Sequence, residues 1–348
     1  MSPSASSNPA NADASTDSHG GAFGSRRAVA INYHFVRARR EGRFSLRAHE
    51  TPERFEQQLA QIAQEFPFCR VGDLVNPNRD VPTASVALTF DDGALDVATQ
   101  AAPLLQRHGA VATVFVCAQP YLEGRLLEIQ KIEFLMRELA LPRFRQAFQD
   151  ELKRQFPMGV ERGSLDFAGG YRFYRYDEEE IREFKLDLNY RLPYECVVPV
   201  LDAVFTAVFG EEAEAEAVRE TYMSLDDLKR LLDLGFELGV HTHRHRVLSR
   251  LDFEAQREEI QRGFEFLREI SGQSSLAVAY PFGFHDQRTR KAMEELGLLA
   301  GLTMERRMIE PEDLRARWSL PRYDVNDCFD RESNEIVREV FASLATAD

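Results

Sequence analysis

The chain is short of the features that would place it in several common classes. It has one tryptophan and four cysteines in 348 residues. No stretch approaches the ~20 apolar residues that span a bilayer. Cys69, Cys117, Cys196 and Cys328 lie far apart and form no CxxC pair, so they read as reduced, buried thiols. Cationic excess is also missing: 43 Lys and Arg stand against 57 Asp and Glu, a net charge of −14. That balance excludes nucleic-acid binding as the main task, because phosphate contacts need a positive face. The first 27 residues lack the basic start and apolar run of a secretory signal; rich in Ser, Ala, Asn and Gly, they are expected to form a disordered leader. No fixed-period repeat marks a solenoid. The expectation is a soluble, cytoplasmic protein that does not span a membrane.

What is present is an alternation of short apolar runs and helical periodicities. Strands are expected at 28–34, 85–90, 112–117, 237–242, 276–280 and, weakly, 299–303, with LPRYDV at 320–325 completing the set. Between them helices are expected at 51–66, opened by Thr51 and Pro52, and at 95–108, 225–234, 253–270, 286–296 and 331–344. Alternating strands and helices imply parallel βαβ units, in a sheet or barrel whose chemistry gathers where strands end. Residues 120–222 break the rhythm with helix-rich, partly acidic sequence. We read them as an insertion in one barrel-like domain formed by 28–119 and 223–348.

Three segments at strand ends carry side chains suited to chemistry. The first is Thr89-Phe90-Asp91-Asp92-Gly93, in which adjacent acids leave the strand in different directions. One can bind a metal while the other stays free as a base; Asp-Asp-Gly is also ordinary turn chemistry. The second, His241-Thr242-His243-Arg244-His245, holds three of the chain's eight histidines. His241 and His245 face one ion if the chain coils through a helical turn, and His243 then faces elsewhere, free to bind solvent or substrate. Asp92, His241 and His245 together give three ligands and leave a position for water, the pattern of a catalytic divalent site. Asp91 then serves as the proton acceptor. In the third, Tyr280-Pro281-Phe282-Gly283, a tight turn exposes the Phe282 N–H to an oxyanion.

In this order the segments resemble the NodB-homology polysaccharide deacetylases, carbohydrate esterase family 4. TFDDG at 89–93 matches the first motif and HTHRH at 241–245 the second, H-[ST]-x-x-H. The resemblance implies an α/β fold, a distorted (β/α) barrel, here with a helix-rich insertion. It implies one divalent metal, zinc first, on Asp92, His241 and His245, with Asp91 as general base and the Phe282 N–H as oxyanion donor. Two departures shift roles to other residues. Ala279 stands where the third motif has an Arg, and Arg322 in LPRYDV is the substitute expected to pair with Asp91. No His follows His285, so the late catalytic His is replaced by His34, at the end of the first strand, as general acid. His285 is the second candidate, and Asp324 is a candidate to orient whichever His acts.

The expected function is metal-dependent hydrolysis of an N-acetyl group on an amino sugar during assembly of a surface polysaccharide. The sugar is expected to be nucleotide-linked, lipid-linked or a short oligomer. Two rival readings remain at this point: a non-catalytic sugar-binding protein of the same fold, and a barrel amidohydrolase or phosphoesterase using His241 and His243 as an HxH metal pair.

Overall fold

The computed structural model describes residues 23–38, 43–44, 50–163, 174–175 and 177–345. Residues 1–22, most of the expected leader, lie outside the described residues. Among the described residues eight strands, β1 (Arg27–Tyr33), β2 (Phe68–Cys69), β3 (Ala84–Phe90), β4 (Thr113–Val116), β5 (Glu237–Val240), β6 (Val278–Ala279), β7 (Gly301–Leu302) and β8 (Tyr323–Asp324), pair in parallel. Their order is β7-β6-β5-β4-β3-β1-β8, with β2 paired to β3. Leu320 pairs in parallel with Leu302, and Asp324 with Asn32, so the segment around β8 touches both ends of the curled sheet. This is a distorted (β/α) barrel.

Strand periodicity sorts the side chains into two faces. Val29, Ile31 and Tyr33 of β1 and Val86, Leu88 and Phe90 of β3 pack against Phe55, Leu59 and Ile62 of the helix Pro52–Glu65. That helix starts where expected, with Thr51 Oγ1 accepting from the Arg54 N–H at 3.2 Å. The opposite face is built from small residues, Ala28, Ala30, Ala87, Ala277 and Ala279, clustered with Phe115 and Leu302. Small side chains inside a narrow curl leave room for one large ring, and Phe115 takes it. Gly239 is what admits that ring, because a Cβ there would lie 2.4 Å from it. Farther along the same face the residues turn polar: Asn32 in β1, Thr89 in β3, Asp91 beyond β3 and His241 beyond β5.

Several expected elements are redrawn. The helix expected over 95–108 is π-helical over Val97–Ala101 and α-helical over Ala102–Arg107. Pro103, lacking an N–H, interrupts the ordinary ladder at the junction. The last helix begins at Arg338, not 331. Before it, the Asp330 side chain accepts from the Glu332 and Ser333 N–H groups, and Asn334 takes φ +61°. Strand β5 stops at Val240 because Thr242 turns left-handed at φ +64°.

Between β4 and β5 the chain folds into the helices Glu128–Glu138, Leu141–Gln155, Glu179–Leu186, Tyr194–Phe209 and Ala213–Thr221. They share an apolar cluster of their own, including Phe134, Leu135, Phe144, Phe148, Leu201 and Phe205. Lys131, buried among them, is paired with Asp202 and Glu214. At its far end the excursion is sewn to the loop after β3: Tyr222 bridges Ala94, and the Met223 N–H donates to the Gly93 carbonyl at 3.1 Å.

The Gly239–Phe115 fit gives a stability test. Gly239→Ala is expected to cost about 1–3 kcal/mol by overpacking. Urea unfolding should show much of that loss recovered by adding Phe115→Leu.

Candidate active site

Four backbone turns deliver the polar groups at the strand ends. Asp92, Thr242, His245 and Phe282 all adopt positive φ, at 71°, 64°, 59° and 57°. A left-handed residue after a strand reverses the direction of the next side chain. Alternation alone would send Asp92 to the face opposite Asp91; the turn instead brings Asp91 Oδ2 and Asp92 Oδ1 to the same His241 Nε2, at 3.9 and 3.5 Å, and the chain doubles back between His241 and His245. The imidazoles are brought together, with ring centroids 4.8 Å apart, by this loop and not by the helical turn the sequence led us to expect. The His245 N–H donates to Thr242 Oγ1 at 3.1 Å and holds the loop.

Asp91 and Arg322 form a two-pronged ion pair, at 2.9 Å to Oδ1 and 3.0 Å to Oδ2, with both side chains buried. The guanidinium also donates to the Thr303 carbonyl, Asn32 Oδ1 and Thr89 Oγ1. Burial alone would raise the Asp91 pKa. The Arg322 charge, joined by its hydrogen bonds and by His241, overturns that and holds the carboxyl well below the usual range. Asp91 is thus a fixed carboxylate.

Asp92 differs. Its Oδ2 accepts from Gln130 Nε2 at 3.0 Å, while its buried Oδ1 has no hydrogen-bond partner among the described residues. That oxygen lies 3.5 Å from His241 Nε2 and 3.5 Å from His245 Nε2. Burial raises the Asp92 pKa, opposed by His241. His241 Nδ1 is 2.8 Å from the Ala279 carbonyl, which can only accept, so Nδ1 carries the proton and Nε2 offers its lone pair toward Asp92. The residue that replaces the motif Arg thus contributes its backbone.

Cys117, which the sequence did not single out, also faces this cluster. Ligand atoms of Asp92, Cys117 and His241 lie within 4.8 Å of one another, a group that leaves His245 out. Its Sγ–H donates to the His241 carbonyl at 3.0 Å, and burial followed by the Asp92 charge pushes the thiol pKa well up. The pattern ATVFVC showed a strand end but gave no cue that its last residue turns inward.

The remaining candidates separate. His34 is half-buried, close enough for its charge to act on Asp91, Asp92 and His245. Phe282 stacks edge-on to His245 at 4.9 Å, and its N–H is not spent on a described backbone carbonyl. His285 lies flat on Tyr280 and reaches Ser319 Oγ at 3.0 Å, partners outside the cluster. Asp324 caps the short helix Val325–Cys328 by accepting from the Asn326 N–H, which is a structural engagement. His243 faces away from the His241–His245 pair, as expected, but into the protein and not toward solvent. It is buried, with Nε2 2.7 Å from Glu123 Oε1, so the HxH pairing of His241 with His243 does not form.

The family model for polysaccharide deacetylase matches residues 78–164 and 204–301. The chain belongs to the polysaccharide deacetylase family. It is a deacetylase, a hydrolase acting on amide bonds, which sets aside the non-catalytic reading. The matched segments run past β4 into the helical excursion and resume before its end, leaving residues 165–203 between them. The fold is similar to that of the Streptococcus pyogenes deacetylase PplD in complex with acetate, with a TM-score of 0.55 and 16% identity over 90% of this chain and 97% of that one. It is also similar to IcaB from Ammonifex degensii, with a TM-score of 0.53 and 18% identity over 92% and 97%. No curated protein matches the chain by sequence.

Burial pushes the pKa of His241 and of His245 down to about 4. In the unfolded chain each takes up its proton near 6.5. Between those values the unfolded state binds more protons, so this share of stability is complete above about pH 6.5 and is lost as pH falls toward 4. Denaturant unfolding of the metal-free deacetylase from pH 7 to pH 4 is expected to show that decline. The double variant His241→Gln, His245→Gln should flatten it.

Proposed function

We propose that this deacetylase is metal-dependent, with Asp92, His241 and His245 holding one divalent ion, zinc first. The orphaned, buried Asp92 Oδ1 carries the reading. A buried carboxylate oxygen without a donor is costly, and a cation placed between it and two neutral imidazoles removes that cost. Its 3.5 Å spacing to each Nε2 is near the ~3.3 Å between two ligands of a tetrahedral zinc ion. Cys117 is assigned to the wall of the site, because its proton is committed to the His241 carbonyl. When bound, the ion supplies Lewis acidity toward the amide carbonyl and lowers the pKa of water.

The protein's own groups do the rest. Asp91, kept ionised by Arg322, accepts the proton of the attacking water. The Phe282 N–H donates to the oxyanion that develops on the amide oxygen. His34 delivers a proton to the leaving amine, and Arg322 keeps Asp91 in one orientation throughout.

The substrate is an N-acetylated amino sugar in surface polysaccharide assembly, presented as a nucleotide-linked, lipid-linked or short oligomeric form. Support comes from enclosure: Asp91, Asp92 and His241 are at most 3% exposed, and Phe282 beside His245 packs against Tyr174 and Tyr190 of the excursion. A roofed site of this kind suits a chain end or a single sugar better than the middle of a polymer. Among the described residues no helix is long and apolar enough to cross a membrane. Four buried, unpaired cysteines favour a reducing compartment, the cytoplasm.

Asp91→Asn should retain one metal ion per chain and lose about 10²–10⁴-fold in the rate of acetate release. Asp92→Ala should bind the ion far more weakly. Metal analysis and an acetate assay on nucleotide-linked, lipid-linked and oligomeric N-acetylated sugars check both; full activity in Asp91→Asn would refute the assignment. In the same preparations, cobalt-loaded protein is expected to show no thiolate-to-cobalt charge-transfer band, and a band abolished by Cys117→Ala would move Cys117 into the ligand set.

A further inference from the structure

Asp92 is held from outside the barrel. The Leu127 N–H donates to the Tyr222 hydroxyl at 3.2 Å, that hydroxyl donates to Gln130 Oε1 at 3.1 Å, and Gln130 Nε2 donates to Asp92 Oδ2 at 3.0 Å. The polarity of this relay has one solution. A backbone N–H can only donate, so it takes a lone pair of the hydroxyl and leaves the hydroxyl proton for the amide oxygen. A carboxylate can only accept, so the amide must present its NH₂ to Asp92. Every side chain in the relay is buried, at 2% exposure for Gln130, 4% for Tyr222 and 2% for Asp92. The outer end is equally fixed, through the Tyr222–Ala94 bridge and the bond from the Met223 N–H to Gly93.

We propose that Gln130 and Tyr222 are positioning residues for the metal ligand Asp92. Gln130, held by Tyr222, engages Oδ2 and leaves Oδ1 to face His241 and His245, and so favours one-oxygen ligation. The inference rests on the reading of Asp92 as a ligand. It gives the excursion a task in the site: its first long helix supplies the amide and its last residues supply the hydroxyl. A ligand whose second oxygen is pinned does not have to be ordered when the ion arrives, and partners of this kind alter metal affinity by about 10–100-fold.

The test uses the full chain and zinc or cobalt alone as probe. Gln130→Met keeps the volume and removes the donor; Tyr222→Phe removes the hydroxyl and leaves the ring. Expected are a metal affinity about 10–100-fold weaker for Gln130→Met, a smaller loss for Tyr222→Phe, and a changed absorption spectrum of the cobalt form in both. In an Asp92→Ala background, Gln130→Met should change residual affinity no further, the non-additivity that marks action through Asp92. Wild-type affinity and spectrum in Gln130→Met overturn the positioning role while leaving the metal reading intact. Should that variant not fold, wild-type values in Tyr222→Phe overturn it equally. A wild-type protein that binds no ion, or an Asp92→Ala protein that binds as tightly, overturns the metal reading itself and this inference with it.

Discussion

The Asp91–Arg322 pair is the interaction on which both barrel and site depend. Taking a carboxylate and a guanidinium out of water costs several kcal/mol per ion, so such a pair persists only when its other valences are filled. Here they are: beyond Asp91, Arg322 reaches the Thr303 carbonyl, Asn32 and Thr89. Those partners belong to the segment after β7, to β1 and to β3. The charge that keeps Asp91 ionised therefore also draws the last crossing of the sheet against its first and third strands.

Two neighbouring aspartates meet different fates because their surroundings differ. Asp91 has both oxygens engaged by a cation and is left as a stable carboxylate. Asp92 has one oxygen engaged by a neutral amide and the other facing two imidazole nitrogens, with no hydrogen bond among the described residues. Burial acts on both in the same direction, and only the partner decides the outcome. Separation of roles between adjacent acids follows from that asymmetry of partners, since both carboxylates reach the same nitrogen, His241 Nε2, at 3.9 and 3.5 Å.

The barrel was legible because its strands are apolar runs ending in recognisable turns, and because Thr51 and Pro52 announce the first helix. The pairing of Arg322 with Asp91 could be anticipated from a missing charge at Ala279. What escaped the sequence was of two kinds. Local geometry was misjudged at 241–245, where left-handed Thr242 and His245 replace a helical turn that the i, i+4 spacing suggested. Nonlocal partnership was invisible: nothing in LLEIQKIEF marks Gln130 as reaching Asp92, nor HTHRH as turning His243 toward Glu123. A side chain whose partner is separated by tens or a hundred residues leaves no periodic trace, since only its own backbone neighbours set the pattern.

The left-handed backbone at Asp92, Thr242, His245 and Phe282 has a consequence for the protein's history. Each of these residues pays in conformational energy for the direction of a group the site uses, a side chain at the first three and a backbone N–H at Phe282. Glycine at Asp92, Thr242 or His245 would relax the chain and discard the side chain being aimed; at Phe282 it would keep the N–H and lose the ring that packs on His245. Selection for heat resistance alone would thus drift toward sturdier proteins with a dismantled centre, and persistence of Asp92, Thr242 and His245 in descendants would itself record that turnover was under selection.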